Sequence, residues 1–405
     1  LPDGKVLAWV KTGPDSSEVK LIGIDGTVEE SAESSAALPL SVEGLHVVGR
    51  SQGQLLWLDQ TIGTIYRVSE SDLTATVTTT LTLPTPYSYV SPSSQSLPLT
   101  DGGTILLRKL MQSNTLGDSV ATALNPHVQL VRISADGTME QSQILEDITP
   151  IELLHVEDER IDLVRNPGDG TSPAVIHLNW NLQETSRLSL PTGTQRTLED
   201  HAGRFWVRIK SETGTEWQIL AADGTLVGTA ALNCDGADYK FTKENHLIMA
   251  ARSNTYGGNG SACLAHLDAD GHAIFEKTFP LKGVVTGSAP YLDDQGDVAL
   301  LVRSGSYATW VGSVNGCSIY ETSTLLKAYF LDAAGTQQTS ASFPAYRFRE
   351  STGAINQVLC NQSETTGVFD VTDAKLLGHG RMIAIADQRG PSSVDYATLI
   401  QTFKP

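Results

Sequence analysis

Apolar residues fall in short runs along the chain. Each is entered through a turn carrying Gly, Asp or Asn, and many are left through a basic residue. PDGKVLAWVK from Pro2, SQGQLLWLD from Ser51, DGGTILLRK from Asp101 and DERIDLVR from Asp158 are four instances. AGRFWVRIK from Ala202, KENHLIMAAR from Lys243, DQGDVALLVR from Asp294 and GHGRMIAIAD from Gly378 are four more. No window carries a long helical period, so the runs read as strands. A second type of run ends in Asp-Gly or a close relative: LIGIDGTV from Leu21, LVRISADGTM from Leu130, ILAADGTL from Ile219, LAHLDADGHA from Leu264 and AYFLDAAGTQ from Ala328. Asp-Gly between two extended runs marks a hairpin, because the turn needs a positive φ that Gly supplies. A polar, Thr/Ser-rich segment such as TVEES or AIFEKTFPL follows.

These segments define a repeat of four strands. Strand B is the first type of run, C enters the Asp-Gly turn, D is the polar strand after it, and A precedes B, as EGLHVVGR precedes Ser51. Most spacings match one propeller blade of about 40–60 residues. The expectation is a single all-β domain over 1–405, a β-propeller of about eight four-stranded blades, with seven as the alternative because 339–373 is irregular. The chain starts at a B strand and ends at a C strand, DYATLIQTF, so strands from both termini are expected to share the closing blade.

The pattern resembles that of bacterial secreted β-propeller repeat proteins over the whole chain, on turn and strand cues. WD40 pairs and kelch Gly-Gly spacing are absent. LLWLDQTIGTIYRV, from Leu55 to Val68, is similar to one repeat of the quinoprotein propellers. The other blades lack that match, so no quinone is carried over and no cofactor is expected.

Charge narrows the partners. With 46 acidic and 28 basic residues the net charge is −18, and no Lys/Arg cluster occurs. Phosphate backbones demand basic patches, so nucleic acid is a poor partner, as is an anionic membrane surface. The chain opens on Leu1 without a signal-like or membrane-spanning apolar run. Either a leader has been removed or the sequence is part of a longer protein. Cys234, Cys263, Cys317 and Cys360 form no CxxC pair. Two disulfides are expected, Cys234–Cys263 and Cys317–Cys360 being the most local of three pairings, with an extracellular, cell-surface or periplasmic home.

No motif commits the chain to catalysis. Gly49-Arg50-Ser51-Gln52-Gly53 matches GxSxG, but QLLWLD after it is a strand where a nucleophile elbow needs a helix. His266, Asp268, Asp270 and His272 alternate around one hairpin, where His266 and Asp268 could share a metal. Other blades make the same turn without His, so a plain hairpin and no metal are expected. Asn259-Gly260-Ser261 and Asn361-Gln362-Ser363 are sequons that matter only in a eukaryotic source. Asp200, Asp235, Asp293 and Asp370 lie in or near A segments, where propeller glycosidases and lyases carry acids, and read mostly as turn residues.

Topology points to one face. B–C and D–A connections share a side of the repeat, opposite the A–B and C–D turns. The long connections 82–98, 111–126, 254–260 and 304–324 are of the first kind and carry Tyr87, Tyr89, Tyr256, Tyr307, Trp310 and Tyr320. Rings among Ser, Gly and Asn are good recognition material. The reading is a non-catalytic extracellular or cell-surface binding or scaffold propeller. Its protein or carbohydrate partner would meet these residues, as part of a larger assembly. The alternative is a secreted polysaccharide hydrolase or lyase with its site at the channel mouth.

Overall fold

The computed structural model describes residues 6–403 except 14–15, 24–26, 34–44, 52, 60–62, 70–74, 88, 91–94, 112–126, 146–150, 158–159, 166–171, 212–213, 231, 235, 237, 255–258, 294–295, 306–308, 315–316, 343–345, 353, 356–357, 360–362, 377–381 and 390–395. The first sheet is β1 (Val6–Gly13), β2 (Ser16–Ile22) and β3 (Val28–Glu33). The second is β4 (Leu45–Ser51), β5 (Gln54–Asp59), β6 (Thr64–Ser69) and β7 (Ala75–Thr80). In the third, β8 (Tyr89–Val90) and β9 (Gln95–Pro98) both pair β10 (Thr104–Met111), followed by β11 (His127–Ile133) and β12 (Met139–Leu145).

Three regular four-stranded sheets come next. They are β13 (Ile151–Glu157), β14 (Arg160–Arg165), β15 (Ala174–Asn179) and β16 (Glu184–Ser189); β17 (Thr194–Glu199), β18 (Phe205–Ser211), β19 (Gly214–Leu220) and β20 (Leu226–Ala230); and β21 (Asp238–Phe241), β22 (Leu247–Asn254), β23 (Asn259–Leu267) and β24 (Ala273–Lys282). The largest sheet begins with β25 (Val284–Leu292), β26 (Val298–Gly305), β27 (Thr309–Val314), β28 (Cys317–Leu331), β29 (Gln337–Ser342) and β30 (Tyr346–Thr352). A two-stranded ribbon, β31 (Ala354–Ile355) and β32 (Val358–Leu359), separates it in sequence from β33 (Ser363–Leu376), β34 (Met382–Arg389) and β35 (Tyr396–Phe403), which continue the same sheet.

The fold is therefore all-β and built from antiparallel meanders of propeller-blade type. All eight B runs of the sequence form strands: β1, β5, β10, β14, β18, β22, β26 and β34. Packing divides the chain into two compact units, one of Ser31–Thr229 and one of Leu1–Glu30 with Ala230–Pro405. Within the second unit β35 comes into contact with β1, strands from the two ends of the chain.

Burial explains why B strands are unbroken apolar runs and D strands are not. Successive strand residues point to opposite faces, and a B strand has a sheet on each side. Leu106 of β10 packs with Leu56, Leu58 and Ile65 of the preceding sheet. Its neighbours Ile105 and Leu107 pack with Ile161, Leu163 and Ile176 of the following one. The pattern recurs between Val164 and Val175 and Phe205 and Val207, and between Ile248 and Leu264 and Val298 and Leu300. The D strands β7, β12, β16 and β29 are largely exposed, as their Thr, Ser, Gln and Glu content requires.

One turn geometry recurs on both the A–B and C–D sides. The first residue's N–H donates to the fifth residue's carbonyl and the fourth residue's N–H returns to the first carbonyl, as in 134–138, 200–204, 221–225, 268–272 and 332–336. The fourth residue carries positive φ, the three-residue hairpin with a G1 bulge. Where the first residue is Asp, its carboxylate accepts backbone N–H groups within the turn: Asp268 Oδ1 from Asp270 and His272, Asp332 Oδ1 from Ala334 and Thr336. Gly335 has a second reason to be glycine, since a Cβ there would stand 2.4 Å from Phe275 Cγ on the preceding D strand.

Candidate functional site

The connection 304–324, expected as a long loop, carries a β-hairpin. Asn315-Gly316, the dipeptide most favourable to a two-residue turn, stands between β27 and β28, and Val314 pairs with Cys317. β28 is long enough for two roles. Its second half, 324–331, is the blade's C strand against β26, while its first half pairs β27 on one side and β30 on the other. The hairpin thus extends past the blade, which leaves Trp310 and Val311 exposed.

Trp310 lies on β27 directly opposite Tyr320 of β28. Trp310 is 61% exposed and Tyr320 half-buried, while Ile319 beside it points inward and is buried. Val311 and Leu325 are also exposed. Directly opposed residues share a sheet face, which sets the indole and the phenol ring on the same side of the hairpin.

The other expected site residues do not all join them. Tyr87 is half-buried with its ring packed 5.4 Å from that of His127. Tyr89 sits in β8 paired to Met111, and its side chain lies outside the described residues. Tyr256 and Tyr307 lie outside them as well. The Cys234–Cys263 disulfide is present, with Cα atoms 5.7 Å apart. It ties the segment before β21 to strand β23, in a small buried cluster with Ala251 and Ala265. Cys360 and the Cys317 side chain lie outside the described residues.

The candidate catalytic motifs resolve into turns. In the GxSxG stretch Ser51 pairs with Gln54 across an A–B hairpin, so no elbow forms. Asp200 accepts backbone N–H groups from Ala202 and Arg204 of its own turn and also binds the Arg204 guanidinium and the Trp206 indole N–H. Asp293 accepts the N–H of Asp297 in the same manner. Asp235 and the Asp370 side chain lie outside the described residues. Around 266–272, Asp268 serves its turn and pairs with His272, whereas His266 is buried and meets His246. Among the described residues no three His, Cys, Asp or Glu gather as a metal site.

One charged cluster escapes a sequence reading. Arg160 and Asp162 on β14, His177 on β15 and Glu199 at the end of β17 converge between two adjacent sheets. Arg160 Nη2 lies 2.9 Å from Asp162 Oδ2 and 2.7 Å from Glu199 Oε1, and His177 Nδ1 lies 2.7 Å from Asp162 Oδ1. Burial, and then the Asp162 charge and hydrogen bond beside it, push the Glu199 carboxyl up to about 9 against the opposing pull of Arg160. A carboxylic acid that keeps its proton at neutral pH beside a carboxylate is acid–base chemistry in form. Yet both side chains are wholly inaccessible to solvent, so the pair joins two sheets and presents nothing to a substrate. The sequence signal for it was Asp162, a carboxylate interrupting the apolar run RIDLVR.

No family model matches the chain, and no curated protein matches it. Solved structures do. A protein of unknown function from Bacteroides caccae is 11% identical, with 74% of this chain and 93% of that one covered at a TM-score of 0.35. Virginiamycin B lyase from Staphylococcus aureus is 12% identical, with 74% and 92% covered and a TM-score of 0.38. Prolyl oligopeptidase B from Galerina marginata is 10% identical, with 79% of this chain and 44% of that chain covered and a TM-score of 0.41. Likeness at this level assigns no activity to the chain.

Proposed function

We propose that the protein is a non-catalytic extracellular or cell-surface binding propeller whose partner docks on the Trp310–Tyr320 surface of the β27–β28 extension. The observation that carries this reading is the 61% exposure of Trp310 on a hairpin projecting past its blade. An exposed indole beside a second ring offers large contact area at small entropic cost, and such residues dominate binding energies. The disulfide between Cys234 and Cys263 supports an oxidising home. Among the described residues no helix is long and apolar enough to cross a membrane. The blade count of eight belongs to the same proposal and rests on the eight B strands.

The test compares the native protein with Trp310→Ala and Thr225→Ala on a glycan array and against fractionated secreted proteins. The expected result is a ligand whose affinity falls more than about tenfold, or about 1.4 kcal/mol, with Trp310→Ala. Thr225 lies in a compact C–D turn and its variant should bind as the native protein does. Binding indifferent to Trp310 would overturn the reading. Cleavage of a polysaccharide would establish the hydrolase or lyase alternative instead.

A further inference from the structure

The geometry points to β27 as an acceptor for an added strand: we infer that the partner presents an extended, acid-poor peptide segment that pairs along the outer edge of β27. This deepens the proposed binding function and rests on it. In the blade half of the sheet the order is β25-β26-β28-β29, with β26 covered by β25. In the extension, β27 takes the place of β26 on the same side of β28, and β30 takes the place of β29. The place corresponding to β25 holds no strand among the described residues, since β27 pairs β28 alone. Among the described residues the outer edge of β27, on the side where β25 flanks the blade, has no strand beside it.

The nature of the occupant follows from the edge. A strand edge offers alternating N–H and C=O groups, which another polypeptide strand satisfies residue by residue and a sugar chain does not. β27 reads TWVGSV, without a charged residue or proline to discourage pairing, and the one irregularity in its register lies between Trp310 and Gly312. Six residues span about 20 Å, so an edge-to-edge contact with a second copy of this chain would cover roughly 200 Å² per partner, far below the about 800 Å² of a stable interface. A linear segment has no such requirement, and Trp310 supplies the side-chain anchor beside the backbone ladder. The chain's net charge of −18 disfavours a segment rich in Asp or Glu.

The probe is a phage-displayed random heptapeptide library selected against the full 405-residue chain. The best heptapeptide is then synthesised in its parent form and with single backbone N-methyl groups at each position, and binding is read by fluorescence anisotropy. Strand addition predicts alternation: N-methylation at every second residue weakens binding more than tenfold, and at the residues between by less than twofold. It also predicts at least a fivefold loss with Trp310→Ala, whose exposed position leaves folding intact. Failure to select any peptide, or N-methyl effects without alternation, would overturn strand addition. If Trp310→Ala still weakened such a peptide, the docking surface itself would stand. Binding with alternation but no dependence on Trp310 would instead overturn the proposed surface.

Discussion

His246 Nδ1 and His266 Nε2 lie 3.1 Å apart, so the two imidazoles face each other with room for one proton between them. His266 is buried, its ring edge-on to Phe275, while Asp268 and His272 occupy the adjoining turn. Burial first, and then the charge of His246, lower His266 to about 4, against smaller opposing effects of a hydrogen bond with the Ala333 backbone and of the Asp268 charge. A base depressed in the folded state takes its proton in the unfolded chain first. Stability is therefore full above the ordinary histidine value near 6.5 and falls as pH drops towards 4, by up to about 3 kcal/mol. His266→Gln should flatten denaturant midpoints between pH 6.5 and 4. An unchanged slope would show that the pair does not control acid stability.

Glu199 has the opposite dependence. Its carboxyl, raised to about 9, holds a proton in the folded protein that the unfolded chain releases near 4.5. Folding stability is then undiminished at low pH and declines as pH rises through this window, at most about 1.4 kcal/mol per pH unit. Glu199→Gln keeps the shape, can still accept from Arg160, and cannot ionise. The variant should be more stable than the native protein at pH 8 and nearly equal to it at pH 4. Equal differences at the two pH values would count against a protonated Glu199.

Leu182 occupies the turn position that other hairpins give to Gly or Asn, with φ of 61°, and is buried in the core between two sheets. Positive φ costs a leucine about 1–2 kcal/mol, whereas truncating a buried leucine costs about 2–5 kcal/mol. Leu182→Gly should therefore lower the thermal midpoint despite relieving the backbone. A higher midpoint would mean that strain outweighs burial here.

Breaking the Cys234–Cys263 bridge by paired serine substitutions should cost about 2–4 kcal/mol, the usual range for closing a loop of this size. We propose Cys317–Cys360 as its companion. Peptide mapping without reductant should recover both bridged pairs, and a free thiol at Cys317 or Cys360 would rule out the second.

The sequence by itself determined the repeat. Each B run and Asp-Gly turn is a local signal: strand faces alternate every residue, and a positive φ must fall on a residue that tolerates it. The eight runs, the polar D strands and the turn carboxylates Asp200 and Asp293 were therefore legible. Trp310 and Tyr320 were legible as residue types, and Asn315-Gly316 was a local signal for the hairpin between them, but the hairpin's extension past its blade was not legible. That depended on β28 running through two pairings, which no local pattern encodes. Only the tertiary structure brought Asp162 to Glu199 and His246 to His266. These residues come from different strands and turns, and burial gives their charges meaning only once neighbouring elements close over them.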